Sequence, residues 1–347
     1  MNHYVGLDIS LKKTSMCILE EQGKIVFEDE IGTTPEEIHA ALNKTSLEIT
    51  RIGLESGCLT HYLKEGLLKL GYEVVAMESR KMAAILATLI NKTDKNDARG
   101  IAEALRVGHF RECVHRSNDA VETRSLLHLR QTAVEERTHI ISSLKGHLKV
   151  YGIKFEKKAG KSFRGTVEKA IEHLRPRVQN SIKSLLNILD VLNKEIESMT
   201  KEVEDLARED EDIAILSSID GVGVITALAF KSELDDAKRF KNSRDVAAYI
   251  GLTPRQYSSG EVHRQGGISK KGSKRTRHLL VEAASALLTR CKAWSKLKAW
   301  GMKLKKKKGN RKAIVAVARK LAVIMHRMLL TKKTFERGSE KKQISAA

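Results

Sequence analysis

The stretch HYVGLDI at residues 3–9 is apolar apart from its ends and carries an acid, Asp8, next to its last position. Such a short apolar run predicts a buried β-strand. Two further strands are predicted at Met16–Glu20 and Lys24–Glu30, because the Glu21-Gln22-Gly23 segment between them is typical of a hairpin turn. The chain is therefore expected to open with three consecutive strands.

The next eighty residues predict alternating helices and strands. Thr34 followed by Pro35 is typical of a helix start, since threonine caps and proline fits the first turn. The remaining elements follow in chain order: a strand at Ile49–Glu55, a helix at Gly57–Leu70, a strand at Glu73–Met77 and a helix from Ser79 to about Val107. The predicted order βββαβαβα indicates an α/β domain at the amino terminus.

Four acids fall at informative places in this pattern. Asp8 and Glu55 stand at the ends of the first and fourth predicted strands, and Asp94 and Asp97 share one helix face because they are three residues apart. If the first and fourth strands are neighbours, a helix packed across their ends brings all four acids together. Such a cluster favours a divalent cation with oxygen ligands, Mg²⁺ or else Mn²⁺. Each acid alone could instead be a turn or cap residue, with Asp94 capping the helix.

Positive charge is concentrated at the carboxyl end of the chain. The net charge is +20, yet residues 251–347 hold 26 Lys and Arg against 4 Asp and Glu. The first 250 residues therefore hold 63 − 26 = 37 basic and 43 − 4 = 39 acidic residues. This distribution predicts a polyanionic partner, with a solubilising tail as the alternative. Apolar residues interleave with the charge, which favours helices with basic faces.

The middle of the chain predicts two long helices, at Asn118–Tyr151 and after Pro176. In the second, apolar residues recur at alternating spacings of three and four: Ile182, Leu185, Leu189, Leu192, Ile196, Met199, Val203 and Leu206. This heptad pattern predicts a coiled coil, within the chain or between protomers, and hence a homodimer or homotetramer. A long buried helix is the alternative.

Further along, Ser218–Ala227 (SIDGVGVITA) is compatible with a phosphate-binding helix-hairpin-helix turn or with a plain tight turn between buried helices. A short helix is predicted at Phe240–Gly251, followed by a functional loop at Pro254–Arg277 that is rich in Gly, Ser, Lys and Arg. Two basic helices, separated by Lys305–Lys308 and Gly309, are predicted to complete the chain.

Cysteine usage and hydropathy limit the setting. The four cysteines lack the spacing of a zinc site or a disulfide framework, and no apolar run is long enough to span a bilayer. A reduced cytoplasmic location follows, with no membrane partner.

The serine pair Ser258-Ser259 lies before Gly260 in the loop. From the residues alone, a turn serine or one that contacts phosphate is favoured over a nucleophile, because a serine hydroxyl needs activation. The cations around it are predicted to bind nucleic acid: Arg255, Arg264, Lys270, Lys271, Lys274, Arg275 and Arg277.

Several motifs together resemble a known family. Residues 4–10 (YVGLDIS), Glu55 and residues 92–98 (KTDKNDA) look like the DEDD signature of Piv-like insertion-sequence transposases and DNA invertases. Residues 251–254 (GLTP), Ser259-Gly260 and residues 267–270 (GISK) are similar to the family's second domain. These enzymes are described as bridge-RNA-guided recombinases.

The resemblance implies a domain plan and a mechanism. It implies a RuvC-like, RNase H-fold catalytic domain at 1–110, a helical coiled-coil region at 111–211 and a basic transposase domain at 212–347. Asp8, Glu55, Asp94 and Asp97 would hold the metal, and Ser259, with Ser258 as the alternative, would attack DNA to give a phosphoserine link. The partners implied are donor DNA, target DNA and a structured noncoding guide RNA, in a bacterial cytoplasm at the nucleoid.

Two other functions remain open on the sequence. A structure-specific nuclease, such as a junction resolvase, would use the same four acids with water as the nucleophile. A nucleic-acid-binding protein with a degenerate nuclease domain would need neither the metal nor the serine.

Overall fold

The computed structural model describes residues 2–87, 91–155, 163–260 and 262–338. The chain forms two compact units, Met1–Arg116 and Ser117–Ala347, each of which is described by itself.

A five-stranded sheet forms the centre of the first unit, and its strand order is β3-β2-β1-β4-β5. The strands β1, β2 and β3 are mutually antiparallel, whereas β4 and β5 join β1 in parallel. Their bounds are His3–Ile9 for β1, Lys13–Glu20 for β2, Ile25–Gly32 for β3, Ile49–Glu55 for β4 and Val74–Met77 for β5. The predicted succession of strands and the adjacency of the first and fourth are confirmed.

Four helices accompany the sheet: α1 at Pro35–Thr45, α2 at Thr60–Lys69, α3 at Ser79–Leu86 and α4 at Asp94–Arg106. Side chains of α1 and α2, such as Ile38 and Leu63, share a buried core with β1. The predicted single helix from Ser79 to about Val107 is wrong. Thr93 adopts an extended backbone with φ −142° and ψ 151°, and its Oγ1 accepts a hydrogen bond from the Asn96 amide, so α4 starts as a separately capped helix.

Two glycines allow α4 to lie directly on the sheet. A Cβ at Gly6 of β1 would overlap the carbonyl oxygen of Ala98 and the amide nitrogen of Ala102. A Cβ at Gly53 of β4 would lie 2.6 Å from Met77 and 3.3 Å from Leu105. The close approach therefore depends on bare backbone at Gly6.

We expect Gly6→Ala to destabilise the first unit by about 3 kcal/mol or more, since the added methyl meets rigid backbone instead of a mobile side chain. Urea unfolding of the full chain, followed by circular dichroism, measures the change. Gly57→Ala is the matched control, because a Cβ there meets nothing within 4 Å. Equal stability of the two variants would contradict this account of Gly6.

The second unit is mainly helical. Its helices are α5 at Asn118–Leu148, α6 at Phe163–Ala170, α7 at Pro176–Arg208, α8 at Glu211–Ser217, α9 at Val224–Leu234, α10 at Ser243–Tyr249, α11 at Lys274–Thr289, α12 at Lys296–Lys308 and α13 at Asn310–Thr331. A two-stranded antiparallel sheet joins β6 at Pro254–Ser259 to β7 at Val262–Ile268. The largest buried core of this unit lies among α8, α9, α10, α11 and α13. None of the helices in the described ranges combines the length and the apolar character needed to cross a membrane.

The two long helices α5 and α7 pack against each other within the chain. On α7 the buried residues of the predicted seam recur every seven positions: Ile182, Leu189, Ile196 and Val203. The seam residue Leu206 is 39 % exposed instead. The intrachain pairing thus accounts for half of the heptad pattern, and a coiled coil between protomers stays a prediction.

The carboxyl-terminal quarter differs from its prediction in two ways. The predicted loop Pro254–Arg277 contains the β6–β7 hairpin, whose turn starts at Gly260 with a φ of 54° that suits glycine. Three basic helices follow instead of two, since Ser295 caps α12 by accepting a hydrogen bond from the Lys298 amide. Gly260 therefore marks the turn of the hairpin and Ser295 the start of α12, and the pattern of charges did not predict either boundary.

The turn between α8 and α9 contains Gly221, which has a φ of 93°. A Cβ there would lie 2.8 Å from the Ala283 carbonyl oxygen and 3.0 Å from the Leu287 amide nitrogen of α11. Gly221 thus serves close helix packing, which favours the tight-turn interpretation of this segment over a phosphate-binding hairpin.

Candidate active site

Asp8 and Glu55 project from adjacent parallel strands at the same level. Leu7 of β1 pairs with Leu54 of β4, so the next residues along are Asp8 and Glu55. Side chains alternate along a strand, so Asp8 lies on the face of Gly6, and Glu55 on the face of Gly53. This is the face that α4 covers.

Asp94 and Asp97 occupy the first turn of α4. The cap is Thr93, which leaves the Asp94 carboxylate free of the capping role considered for it. Asp97 is only 8 % exposed, and its Oδ1 is buried without a hydrogen-bond partner among the described residues. A buried carboxylate oxygen without a hydrogen-bond partner is a candidate ligand for a cation.

The four acids act on each other electrostatically. Burial raises the pKa of Asp8 from 3.8 to about 6, with further contributions from the charges of Asp94, Asp97 and Glu55. Burial also raises the pKa of Glu55, and Asp97 adds to the effect. The structure therefore brings all four predicted acids into one neighbourhood.

The chemistry of this donor set suits a hard divalent cation, which carboxylate oxygens prefer to bind. In residues 2–87, 91–155, 163–260 and 262–338, however, no three His, Cys, Asp or Glu side chains already stand close enough to one point to hold an ion. Because like charges repel, a cation bound here would require the carboxylates to approach one another by side-chain rotation. A cavity of about 530 Å³ opens beside Asp8 and Glu55 and gives access to them.

The predicted nucleophile Ser259 belongs to the second unit, at the end of β6. Ser258 pairs with position 263 of β7 and Ser259 with Val262, so the two serines point to opposite faces of the hairpin. Ser259 is exposed, and Tyr257, on the same face, is 59 % exposed. The hairpin thus places the two serines on different faces.

The predicted nucleic-acid-binding cations fall into two groups. Five are exposed: Arg255, Arg264, Lys270, Lys271 and Lys274. Arg277 points inward, and its Nη1 donates to the carbonyl oxygens of Ile250 and Lys271, each at 2.9 Å. Arg275 is also turned into the protein, since its guanidinium nitrogens are buried.

Two protein-family models match the sequence. A transposase family model that carries the DEDD domain matches residues 5–153, and the model described as "Transposase IS116/IS110/IS902 family" matches residues 213–299. The two matches contain all four acids and the serine hairpin. The chain belongs to this family of insertion-sequence transposases.

Relatives of the transposase are found in several bacteria. It is 28 % identical over 340 residues to the transposase for insertion sequence element IS1111A of Coxiella burnetii, covering 96 % of this chain and 92 % of that protein. It is 28 % identical to the transposase for IS1328 of Yersinia enterocolitica, covering 69 % and 71 %. The pilin gene-inverting protein of Moraxella bovis is 29 % identical over 128 residues, covering 36 % and 38 %.

Two site residues of the transposase were missed from the sequence. The Ser79 side chain and the charge of Lys92 both lower the pKa of Glu55, and Lys92 acts on the pKa of Asp8 in the same direction. Lys92 stands in the predicted acid motif, so a count of its charges could have found it. Ser79 opens a helix on the next strand connection and carries no such signal.

The raised pKa of Asp8 gives a pH dependence for the transposase without divalent metal. Because the folded state holds this proton more tightly than the unfolded chain, the stabilisation is complete below about pH 4 and is lost as the pH rises through about 6. We expect the free energy of unfolding, compared with that of Asp8→Asn, to fall over this range. Urea unfolding in EDTA measures it, and parallel curves for the two proteins would exclude the effect.

Proposed function

We propose that the transposase cuts and rejoins DNA strands at the carboxylate cluster of its first unit. The observation that carries the proposal is the convergence of Asp8, Glu55, Asp94 and Asp97, expressed in the pKa of Asp8 and the unpartnered Oδ1 of Asp97. The strand order, with two parallel strands added to an antiparallel β1–β3 meander, supports the expected RuvC-like, RNase H-like fold of residues 1–110.

Asp8, Glu55, Asp94 and Asp97 would hold Mg²⁺, with Mn²⁺ as a substitute. A divalent cation there would neutralise a DNA phosphate and favour ionisation of the attacking hydroxyl. The chain's own contribution is to fix two acids on rigid strands and two on a capped helix, with Lys92 as a nearby cation for the phosphate. The burial of Asp97 excludes water from one side of the cluster.

Ser259 is the proposed nucleophile. Its Oγ would form a bond to the phosphorus while the bond to a deoxyribose oxygen breaks, and the serine proton would pass to that leaving oxygen. The freed strand end would later attack a phosphoserine on the partner DNA, which restores the serine. The number of phosphoester bonds is unchanged throughout, so no ATP is consumed.

The hairpin geometry separates the two serine candidates. Ser259 shares its face with the exposed Tyr257 and adjoins Gly260, where an added Cβ would meet no described residue beyond the chain neighbours within 4 Å. Ser258 lies on the opposite face. Only one of them can face a given phosphate without turning the hairpin over.

The exposed cations of the second unit support a nucleic-acid partner, since the charge beyond residue 251 is strongly positive. Donor and target DNA at the bacterial nucleoid, and a structured noncoding RNA that pairs with both, are the proposed partners. The α5–α7 pair would form the helical region 111–211, and the basic helices that follow would belong to the transposase domain 212–347. The protein would assemble as a homodimer or homotetramer.

The deciding experiment is to trap a covalent protein–DNA adduct. The full chain is incubated with DNA carrying the element's ends, with Mg²⁺ or EDTA, and with the flanking noncoding RNA added or withheld. An adduct that requires the metal supports the proposal. An adduct that also requires the noncoding RNA supports guidance of the transposase by that RNA. Metal-dependent cleavage without any adduct would favour the water-using nuclease, and DNA binding without strand chemistry would favour a binding protein.

A further inference from the structure

The guanidinium nitrogens of one arginine in the second unit are buried without a hydrogen-bond partner among the described residues. Arg275 lies in the first turn of α11, and all three of its guanidinium nitrogens are buried. None of them has a hydrogen-bond partner in the part of the chain that the structure describes. Buried polar groups in folded proteins are nearly always paired, so this arrangement requires an explanation.

The surroundings of Arg275 make the burial less favourable. Burial lowers the pKa of Arg275, and the positive charge of Arg130 on α5 lowers it further, against the attraction of Glu135. Arg130 donates from Nε to Thr200 Oγ1 on α7 at 2.8 Å. Glu135 accepts a hydrogen bond from Gln131 at 3.0 Å instead of pairing with Arg275. The charge of Arg137 also acts on Arg130, so three guanidinium groups lie near one weakly engaged acid.

We propose that Arg275 and Arg130 form a binding site for a phosphate group among α5, α7 and α11. A guanidinium is always charged, and its planar fork suits the oxygens of a phosphate. A phosphate would supply the missing hydrogen-bond acceptors and relieve the repulsion between the two arginines. The first turn of α11 adds the positive end of a helix dipole, which favours an anion at the same place.

Two sources of this chemistry are distinguishable. One is a phosphodiester of the nucleic acid that the transposase binds, in which case the inference rests on the proposed function. The other is a free phosphate ion that stabilises the unit by itself. The guanidinium nitrogens are buried, so either ligand can bind only if the Arg275 side chain or the residues that cover it move.

Thermal unfolding of the full chain tests the site with inorganic phosphate as the probe. At equal ionic strength, we expect phosphate to raise the midpoint of unfolding above its value in chloride by about 3 °C. Arg275→Met should abolish this rise and, in chloride, unfold at or above the wild-type midpoint. The second result has the opposite sign to that expected from the loss of a paired arginine.

Arg319→Met is the matched control, since Arg319 is exposed on α13 and the variant should keep the full response to phosphate. Arg130→Gln provides a second test if Arg275→Met does not fold, and its response should also be reduced. A full phosphate response in both site variants would overturn the proposal. So would the absence of a response in the wild type together with unchanged DNA binding by Arg275→Met.

Binding to a DNA duplex at several salt concentrations identifies the source. If the ligand is a phosphodiester, Arg275→Met should lower the slope of log affinity against log salt by about 0.9, the value for one phosphate contact. If the slope is unchanged while the response to inorganic phosphate is lost, the site takes the free ion. The latter result supports the site and leaves the proposed strand chemistry unaffected.

Discussion

The Asp97→Asn variant is expected to cleave DNA strands at least about a thousandfold more slowly than the wild type. Loss of a metal ligand removes several kcal/mol of transition-state stabilisation, and each ~1.4 kcal/mol lowers the rate tenfold. Asp97 is 8 % exposed, and its Oδ1 has no hydrogen-bond partner among the described residues, so this oxygen is available to a cation. Single-turnover cleavage of labelled DNA in Mg²⁺ measures the loss.

The fold should survive this substitution. Asparagine has nearly the shape of aspartate and removes one negative charge from the cluster, so the midpoint of unfolding in EDTA should be at least that of the wild type. Mg²⁺ should raise the midpoint of the wild type and not that of Asp97→Asn. Asp29→Asn, on the exposed part of β3, is the control and should behave as wild type in both assays. Normal cleavage by Asp97→Asn would remove the carboxylate cluster from the mechanism.

The Ser259→Ala variant is expected to form no covalent DNA adduct and to lose recombination by more than about a thousandfold, since removing a nucleophile abolishes the covalent route. Ser259 is exposed near the hairpin turn, so the substitution removes one hydroxyl without affecting the core. Denaturing gels of the trapped protein–DNA species measure the adduct, and DNA affinity should stay within about twofold of wild type.

Ser258→Ala is the matched control, because it removes the same hydroxyl from the opposite face of the same strand. It should retain adduct formation. If Ser258→Ala loses the adduct and Ser259→Ala keeps it, the assignment moves by one residue and the other face of the hairpin meets DNA. If both variants keep the adduct, neither serine is the nucleophile.

The order of the first unit could be predicted because its signals are local. Apolar runs define β1, β4 and β5, and Thr34-Pro35 marks α1. The break before α4 could not be predicted, because the hydrogen bond that Thr93 Oγ1 accepts from the Asn96 amide caps a new helix within a helical sequence pattern. The β6–β7 hairpin was hidden by composition, since Gly, Ser and Lys predict loops whether or not the backbone pairs across two strands.

The candidate site shows the same limit at the level of side chains. The four acids could be named from the sequence because their positions follow from element ends and helix spacing. The burial of Asp97 could not, since it depends on how closely α4 approaches β1. The inward turn of Arg275 and Arg277 could not be predicted either, because a basic loop does not indicate which of its cations solvate and which pack.

The bare backbone at Gly6 has a consequence for the survival of mobile elements. A genomic copy whose mutation replaces this glycine by alanine still encodes every acid and both serines. The helix that carries two of the acids can then no longer pack directly on the sheet. An intact signature is therefore no proof that a copy still moves. Inventories of active elements should therefore examine the glycine on which the helix packs as well as the four acids.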